Sequence, residues 1–165
     1  MADESWSDAP SGSRPFERTV LIGDTAAQWL LATEAVLAWG VKTRSGFAVL
    51  HSAGTDGHVV DGAEYTLVAE VGPLRIHEPV RVVSVVDLPD RCGFAYATRP
   101  GHPVTGEEAF IVHRTADGRV WFTLRSLTRP GIGRWRLAFP VILLAQRWYR
   151  RRYLKAMREI VSTAD

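Results

Sequence analysis

Residues 105–127 read TGEEAFIVHRTADGRVWFTLRSL. Two strand-like runs flank the turn signal TADG, the pattern of a β-hairpin. Alternate side chains of a strand face opposite ways. Val120, Phe122 and Leu124 therefore share a wholly apolar face, with Arg119, Trp121, Thr123 and Arg125 opposite. Pairing across the turn adds Phe110 and Val112 to the apolar face and carries Glu108 inward with them. Glu107 faces out, near Trp121 and Arg125.

The same character extends back to residue 41. VKTRSGFAVL, AEYTLVAEV, VRVVSVVD and CGFAYATR are each strand-like. AGTDG, GPLRIHEP, LPDR and PGHP separate the strand-like segments, and connections this short join antiparallel neighbours. FERTVLIG (16–23) reads as a further strand, followed by a helix capped by Asp24 or Thr25 and ending near Gly40. Trp29, Ala32, Val36 and Trp39 mark its buried face.

Beyond the hairpin, Ile142, Ala145, Tyr149, Tyr153, Ala156 and Ile160 recur at three- and four-residue steps, an apolar helical stripe. Pro140 fits a first-turn residue or a kink. The order strand, helix, six strands, long helix predicts an α+β fold. About seven antiparallel strands form a curved sheet gripping the C-terminal helix, a START-like, helix-grip arrangement with a central cavity. The competing arrangement packs both helices flat on one face and leaves no cavity.

The 165 residues suit one domain over 15–165 behind a disordered lead-in over 1–14, rich in Ser, Pro, Gly and Asp. Hydrophobic content of 46% and charged content of 23% are ordinary for a globular protein, and a net charge of +2 argues against a polybasic nucleic-acid binder. The opening segment lacks the apolar core of a signal peptide, and LAFPVILLA at 137–145 is too short to span a bilayer, so the reading is cytoplasmic. A single cysteine, Cys92, excludes an internal disulfide and a multi-cysteine zinc site. The five histidines are not at metal-ligand spacing, and neither a metal nor another cofactor is expected. No dinucleotide fingerprint, phosphate loop or nucleophile elbow is present.

Glu108 is the first candidate for chemistry. An inward carboxylate left unpaired has its pKa raised by burial and becomes a usable acid or base. The alternative is a structural carboxylate at the strand's open end, satisfied by an arginine or by backbone amides. Tyr96 shares a face with Phe94 and Thr98 and offers a hydroxyl. His102, between Gly101 and Pro103, sits where it could guard a cavity mouth, or simply in water. Arg81 opens a β-branched strand and could partner Glu108 or Glu78. Tyr65, Phe110, Phe122 and Tyr149 complete the expected ligand-facing set. QRWYRRRYLKAMR mixes arginine with aromatics, but Tyr149 and Tyr153 fall on the buried stripe. The arginines then read first as a solvated face; contact of this basic helix with an anionic membrane surface is the third and last-ranked reading, and no nucleic-acid partner is expected.

GFAYATRPGHPVTGEEAFIV, GRVWFTLRSLTRPG and QRWYRRRYLKAM, with VLIGDTAAQW…AVLAW and GPLRIHEPVRVV, closely resemble the family known as domain of unknown function 1990. The resemblance runs over most of the chain and implies a common fold and a shared GHP…GEE feature. That family usually has tyrosine-glycine-threonine where this chain has Tyr96, Ala97 and Thr98. If the glycine admits a ligand to the backbone, Ala97 narrows the space.

The residues together predict a protein that holds an apolar small molecule. It is either a metal-free acid/base enzyme of cyclase, dehydratase or isomerase type in a bacterial biosynthetic pathway, with Glu108, Tyr96 and His102 catalytic, or a non-catalytic carrier or sensor of a lipid-like ligand. Monomer and homodimer both remain open at this level.

Overall fold

The structure, a computed structural model, describes residues 12–51, 57–71 and 73–164. Strands β1 (Arg14–Gly23), β2 (Phe47–His51), β3 (Glu64–Val71), β4 (Leu74–Asp87), β5 (Arg91–Thr98), β6 (Val104–Arg114) and β7 (Val120–Pro130) form one sheet. Among the described residues, three α-helices accompany them: α1 (Ala26–Leu37), α2 (Gly40–Thr43) and α3 (Arg134–Val161). The strand order is β1-β7-β6-β5-β4-β3-β2, antiparallel throughout. The sheet is a meander from β2 to β7, with β1 added alongside β7.

The hairpin of β6 and β7 pairs Glu108 with Ser126, Phe110 with Leu124 and Val112 with Phe122. The last four of these and Val120 all enter the main core, together with Phe94 and Tyr96 of β5 and Leu67 of β3. Strand alternation thus gives the sheet one apolar face, which α1 and α3 cover. The result is the helix-grip arrangement, a curved sheet around the long C-terminal helix.

Helix α1 starts at a capping box. The Thr25 hydroxyl accepts from the Gln28 amide, and the Gln28 side chain accepts from the Thr25 amide. The helix stops at Leu37, short of Gly40. Trp39 takes a left-handed backbone conformation with φ 58° and wedges its indole between Tyr65 and Phe94. That conformation is costly for a bulky residue and persists only where packing holds it. The chain then makes the single turn α2 before β2 begins at Phe47. The strand expected from residue 41 is therefore half its expected length, a difference that matters for the site.

Other boundaries also move. β1 begins at Arg14, inside the expected lead-in, most of which lies outside the described residues. Most of the turn expected at 53–57 lies outside them too. Pro140 is inside α3 and beyond its first turn. It has no amide hydrogen, so it cannot donate the usual helical bond to the Arg136 carbonyl.

Candidate functional site

Between the inner face of the sheet and α3 lies a cavity of about 120 Å³. A dry apolar cavity of about 150 Å³ holds benzene, so this one matches a small head group rather than a whole bulky ligand. Its lining combines apolar side chains (Phe47, Ala69, Ile76, Ile142) with an unusual density of polar ones: Lys42, Glu78, Tyr96, His102, Glu108, Gln146, Tyr149, Arg150 and Tyr153.

At its core is a buried charge pair. Lys42 comes from α2, with its side chain only 2% exposed, and its Nζ lies 2.7 Å from Glu108 Oε2. The same ammonium donates to Tyr153 Oη at 2.7 Å. Tyr96 Oη donates to the same Glu108 oxygen at 2.5 Å, so Oε1 takes part in neither bond. Burying a charge without partners is prohibitive. Here the carboxylate, a hydroxyl and the rings of Phe47, Tyr96, Phe110 and Tyr153, with centroids 4.6 to 5.4 Å from Nζ, supply them. Burial first, and the Glu108 charge second, push Tyr96 and Tyr153 well above the ordinary phenol range. Both stay protonated.

A second pair lies beside the first. Burial pushes Glu78 up to about 7, opposed by Lys42 and reinforced by Glu108. It therefore exchanges its proton near neutrality. His102 goes the other way, pulled down to about 3 by burial and by the Lys42 charge. The Val104 amide donates to His102 Nδ1 at 3.1 Å, which puts the proton of the neutral ring on Nε2. That Nε2 is 3.6 Å from Glu78 Oε2, too far for a hydrogen bond. The approach would be an ion pair only with a protonated ring, and burial keeps the ring neutral. His102 Nε2 is thus a buried donor without a hydrogen-bond acceptor among the described residues, and Gln146 Oε1 is a buried acceptor without a donor.

The structure brings Glu108, Tyr96, His102 and Tyr149 to this cavity. Phe110 lies beneath it, within the Lys42 cage. His102 is buried rather than a solvated gatekeeper. The remaining expected ligand contacts lie elsewhere. Arg81 is exposed on the outer face, because Val80 and Val82 take the inward positions of β4, and its Nε donates to the Gly62 carbonyl at 3.0 Å. Tyr65 is a core residue whose hydroxyl accepts from the Val60 amide and donates to the His58 carbonyl. Phe122 is fully buried in the core and does not line the cavity. Ala97 pairs with Arg81 and Glu107 on the outer side, so it does not narrow the cavity.

Lys42 is the residue that sequence reasoning missed altogether; Glu78 entered it only as a partner for Arg81, and Tyr153 only as part of the helical stripe. Glu78 alternates with Ile76, Val80 and Val82, but GPLRIHEP reads as a turn; the structure instead extends β4 back to Leu74 and brings Glu78 to the cavity. Lys42 continues the step of Ala32, Val36 and Trp39, but Gly40 reads as a helix end and hides it. Among the described residues, no three His, Cys, Asp or Glu side chains gather as a metal site.

Fold and cavity define a helix-grip protein with a polar pocket under its long helix. The chain belongs to the family described as domain of unknown function (DUF1990), whose pattern matches residues 1–156. It is 34% identical to a UPF0548 protein of Deinococcus radiodurans, over 94% of this chain and 84% of that one. Solved structures share the fold at low identity. The hypothetical protein jhp0584 from Helicobacter pylori has a TM-score of 0.65 at 9% identity, covering 93% of this chain and 88% of the other. Ara h 8.0201 has 0.61 at 13%, covering 92% and 99%. TTHA0849 from Thermus thermophilus has 0.59 at 12%, covering 93% and 99%.

Proposed function

We propose that this chain binds a small molecule with an apolar body and one polar end, the polar end seated against His102 and Glu78. The observation that carries the reading is the buried, unpartnered Nε2–H of His102 beside a carboxyl group that can both give and take a proton. An orphaned buried donor costs about 1–3 kcal/mol, and a ligand oxygen would remove that cost. Glu78 in its protonated form donates to the same ligand, and in its ionised form accepts. The Lys42–Glu108 pair, clamped by Tyr96 and Tyr153, supplies a fixed dipole at the end of the cavity.

A second reading is an enzyme of isomerase, dehydratase or cyclase type. It is favoured by the pKa of about 7 at Glu78, near the optimum for general acid/base catalysis at neutral pH. The acid/base role expected of Glu108 passes to Glu78, because Lys42 and Tyr96 already hold Glu108. Glu108 and Tyr96 are then positioning groups, and His102 donates to a developing negative charge on the substrate.

The test is native mass spectrometry of the chain purified from its own host. The wild type should carry an adduct of small mass that the His102→Phe variant loses. A bare chain in the wild type overturns the reading. The released compound, returned to fresh protein, separates the two forms: recovery unchanged means a carrier, and consumption by the wild type but not by Glu78→Gln means an enzyme.

A further inference from the structure

Helix α3 has a second face that the fold leaves uncovered. Leu137 is 88% exposed, Val141 69%, Leu144 65% and Trp148 51%. Their spacing of four, three and four residues places them within an arc of about 60° on the helix. Ile132, 87% exposed, precedes them. The opposite side of the same turns carries Phe139, Ile142 and Tyr149 toward the sheet. A helix that buries one side and exposes a continuous apolar stripe on the other has an unmet partner.

Charge identifies the partner's chemistry. Residues 131–158 contain no Asp or Glu, but eight Arg and Lys. Arg136, Arg147 and Arg151 are exposed, and the Arg152 guanidinium lies 4.5 Å from the Trp148 ring centroid. Sequence alone ranks a wet surface above a membrane surface for these arginines. The structure sets a strip of leucine, valine and tryptophan among them. That combination is the make-up of a helix lying in the plane of an anionic membrane, with apolar side chains among the acyl chains and arginines at the phosphates. Two copies of this face would bring like charges together, and a nucleic acid would leave the apolar stripe uncovered. No helix of the described residues is long and apolar enough to cross a membrane, so the contact is with the surface.

We infer that the exposed face of α3, centred on Leu137, Val141, Leu144 and Trp148, docks on anionic lipid bilayers. The inference does not depend on what the cavity holds. The experiment is flotation of the full chain with vesicles of phosphatidylcholine, with and without phosphatidylglycerol. Binding is expected only with phosphatidylglycerol. It should fall steeply when salt rises from about 0.1 to 1 M, where the screening length drops from about 10 to 3 Å. Leu144→Asp should weaken it about tenfold or more, and Arg147→Glu with Arg151→Glu should abolish it. All these positions are exposed, and an unchanged melting temperature certifies that the variants fold. Absence of binding to anionic vesicles overturns the inference, as does binding that ignores salt or survives the variants. A wild-type dimer in size-exclusion chromatography that Leu144→Asp splits, without vesicle binding, assigns the face to a second copy instead.

Discussion

Lys42 and Glu108, 66 residues apart in sequence, meet at 2.7 Å inside a ring of four aromatic side chains. Removing one partner of a buried pair strands the other, at a typical cost of about 3–5 kcal/mol. Lys42→Met and Glu108→Gln should each lower stability by that order in urea unfolding at pH 7. The double variant should be more stable than the sum of the two losses predicts, because no lone charge remains. Simple additivity would mean that the two groups do not interact in solution.

Glu107, the adjacent residue, should behave in the opposite way. It is exposed, and Arg125, the arginine expected near it, is bound to Glu17 at 2.8 Å. Glu107→Ala should change stability by no more than about 0.5 kcal/mol. A large loss would require a contact of Glu107 that the fold does not contain.

Glu78 predicts a pH signature. Its pKa rises from 4.5 to about 7 on folding, so the folded state holds the proton more tightly than the unfolded chain. Its contribution is fully present below pH 4.5 and is lost as pH rises through 7. Glu78→Gln keeps the shape of the protonated side chain and cannot ionise. The variant should melt several degrees higher than the wild type at pH 8 and about the same at pH 4. Equal melting temperatures at pH 8 would show that the carboxylate ionises without penalty.

His102 has the reverse sign. Its pKa falls from 6.5 to about 3 on folding, so the unfolded chain takes up the proton first and stability is lost as pH drops from 6.5 toward 3. Between pH 4.5 and 6.5 the two groups oppose one another. Below 4.5 only the histidine slope remains. Replacing His102 with Asn should flatten the loss of stability below pH 4.5, and calorimetry across that range reads it directly.

Cys92 is buried, and burial, with Asp87 and Glu34 adding, pushes its thiol up to about 12. The thiolate is the reactive form. Labelling with Ellman's reagent at pH 8 should therefore wait for unfolding and match its rate. Immediate labelling of the native chain would contradict the burial.

The hairpin of β6 and β7 was legible because apolar and polar residues alternate cleanly across TADG, and that alternation alone turns Glu108 inward. β4 was harder to read. VRVVSVVD is β-branched at nearly every position, so it shows no polar face, and a register shift between Val82 and Ser84 interrupts the count. Arg81 was consequently read as ligand-facing, whereas it points outward and is exposed. Lys42 was hidden by local chemistry. Gly40 after a helical stripe signals an end, and only the left-handed Trp39, held by rings from β3 and β5, returns the chain to a helical turn. His102 read as a loop residue because nothing nearby in sequence buries it. It is nonetheless buried, and next to it in the chain the Pro103 carbonyl sits so close to the Gly131 backbone that a side chain on Gly131 would collide with it.

The pairing of β1 with β7 sets a timetable for synthesis. Thr19 and Thr123, hydrogen-bonded across these strands, are 104 residues apart, and ribosomes add about 5–20 residues per second. The first strand therefore waits roughly 5–20 s for its neighbour, while β2 to β7 can zip in order as each emerges. During that interval β1 is a loose strand in search of an edge. Arg14, Pro15, Glu17 and Arg18, all exposed in the finished fold, are the kind of residues that discourage strand-to-strand aggregation. The charged start of RPFERTVLIG protects the nascent chain before it serves the folded one.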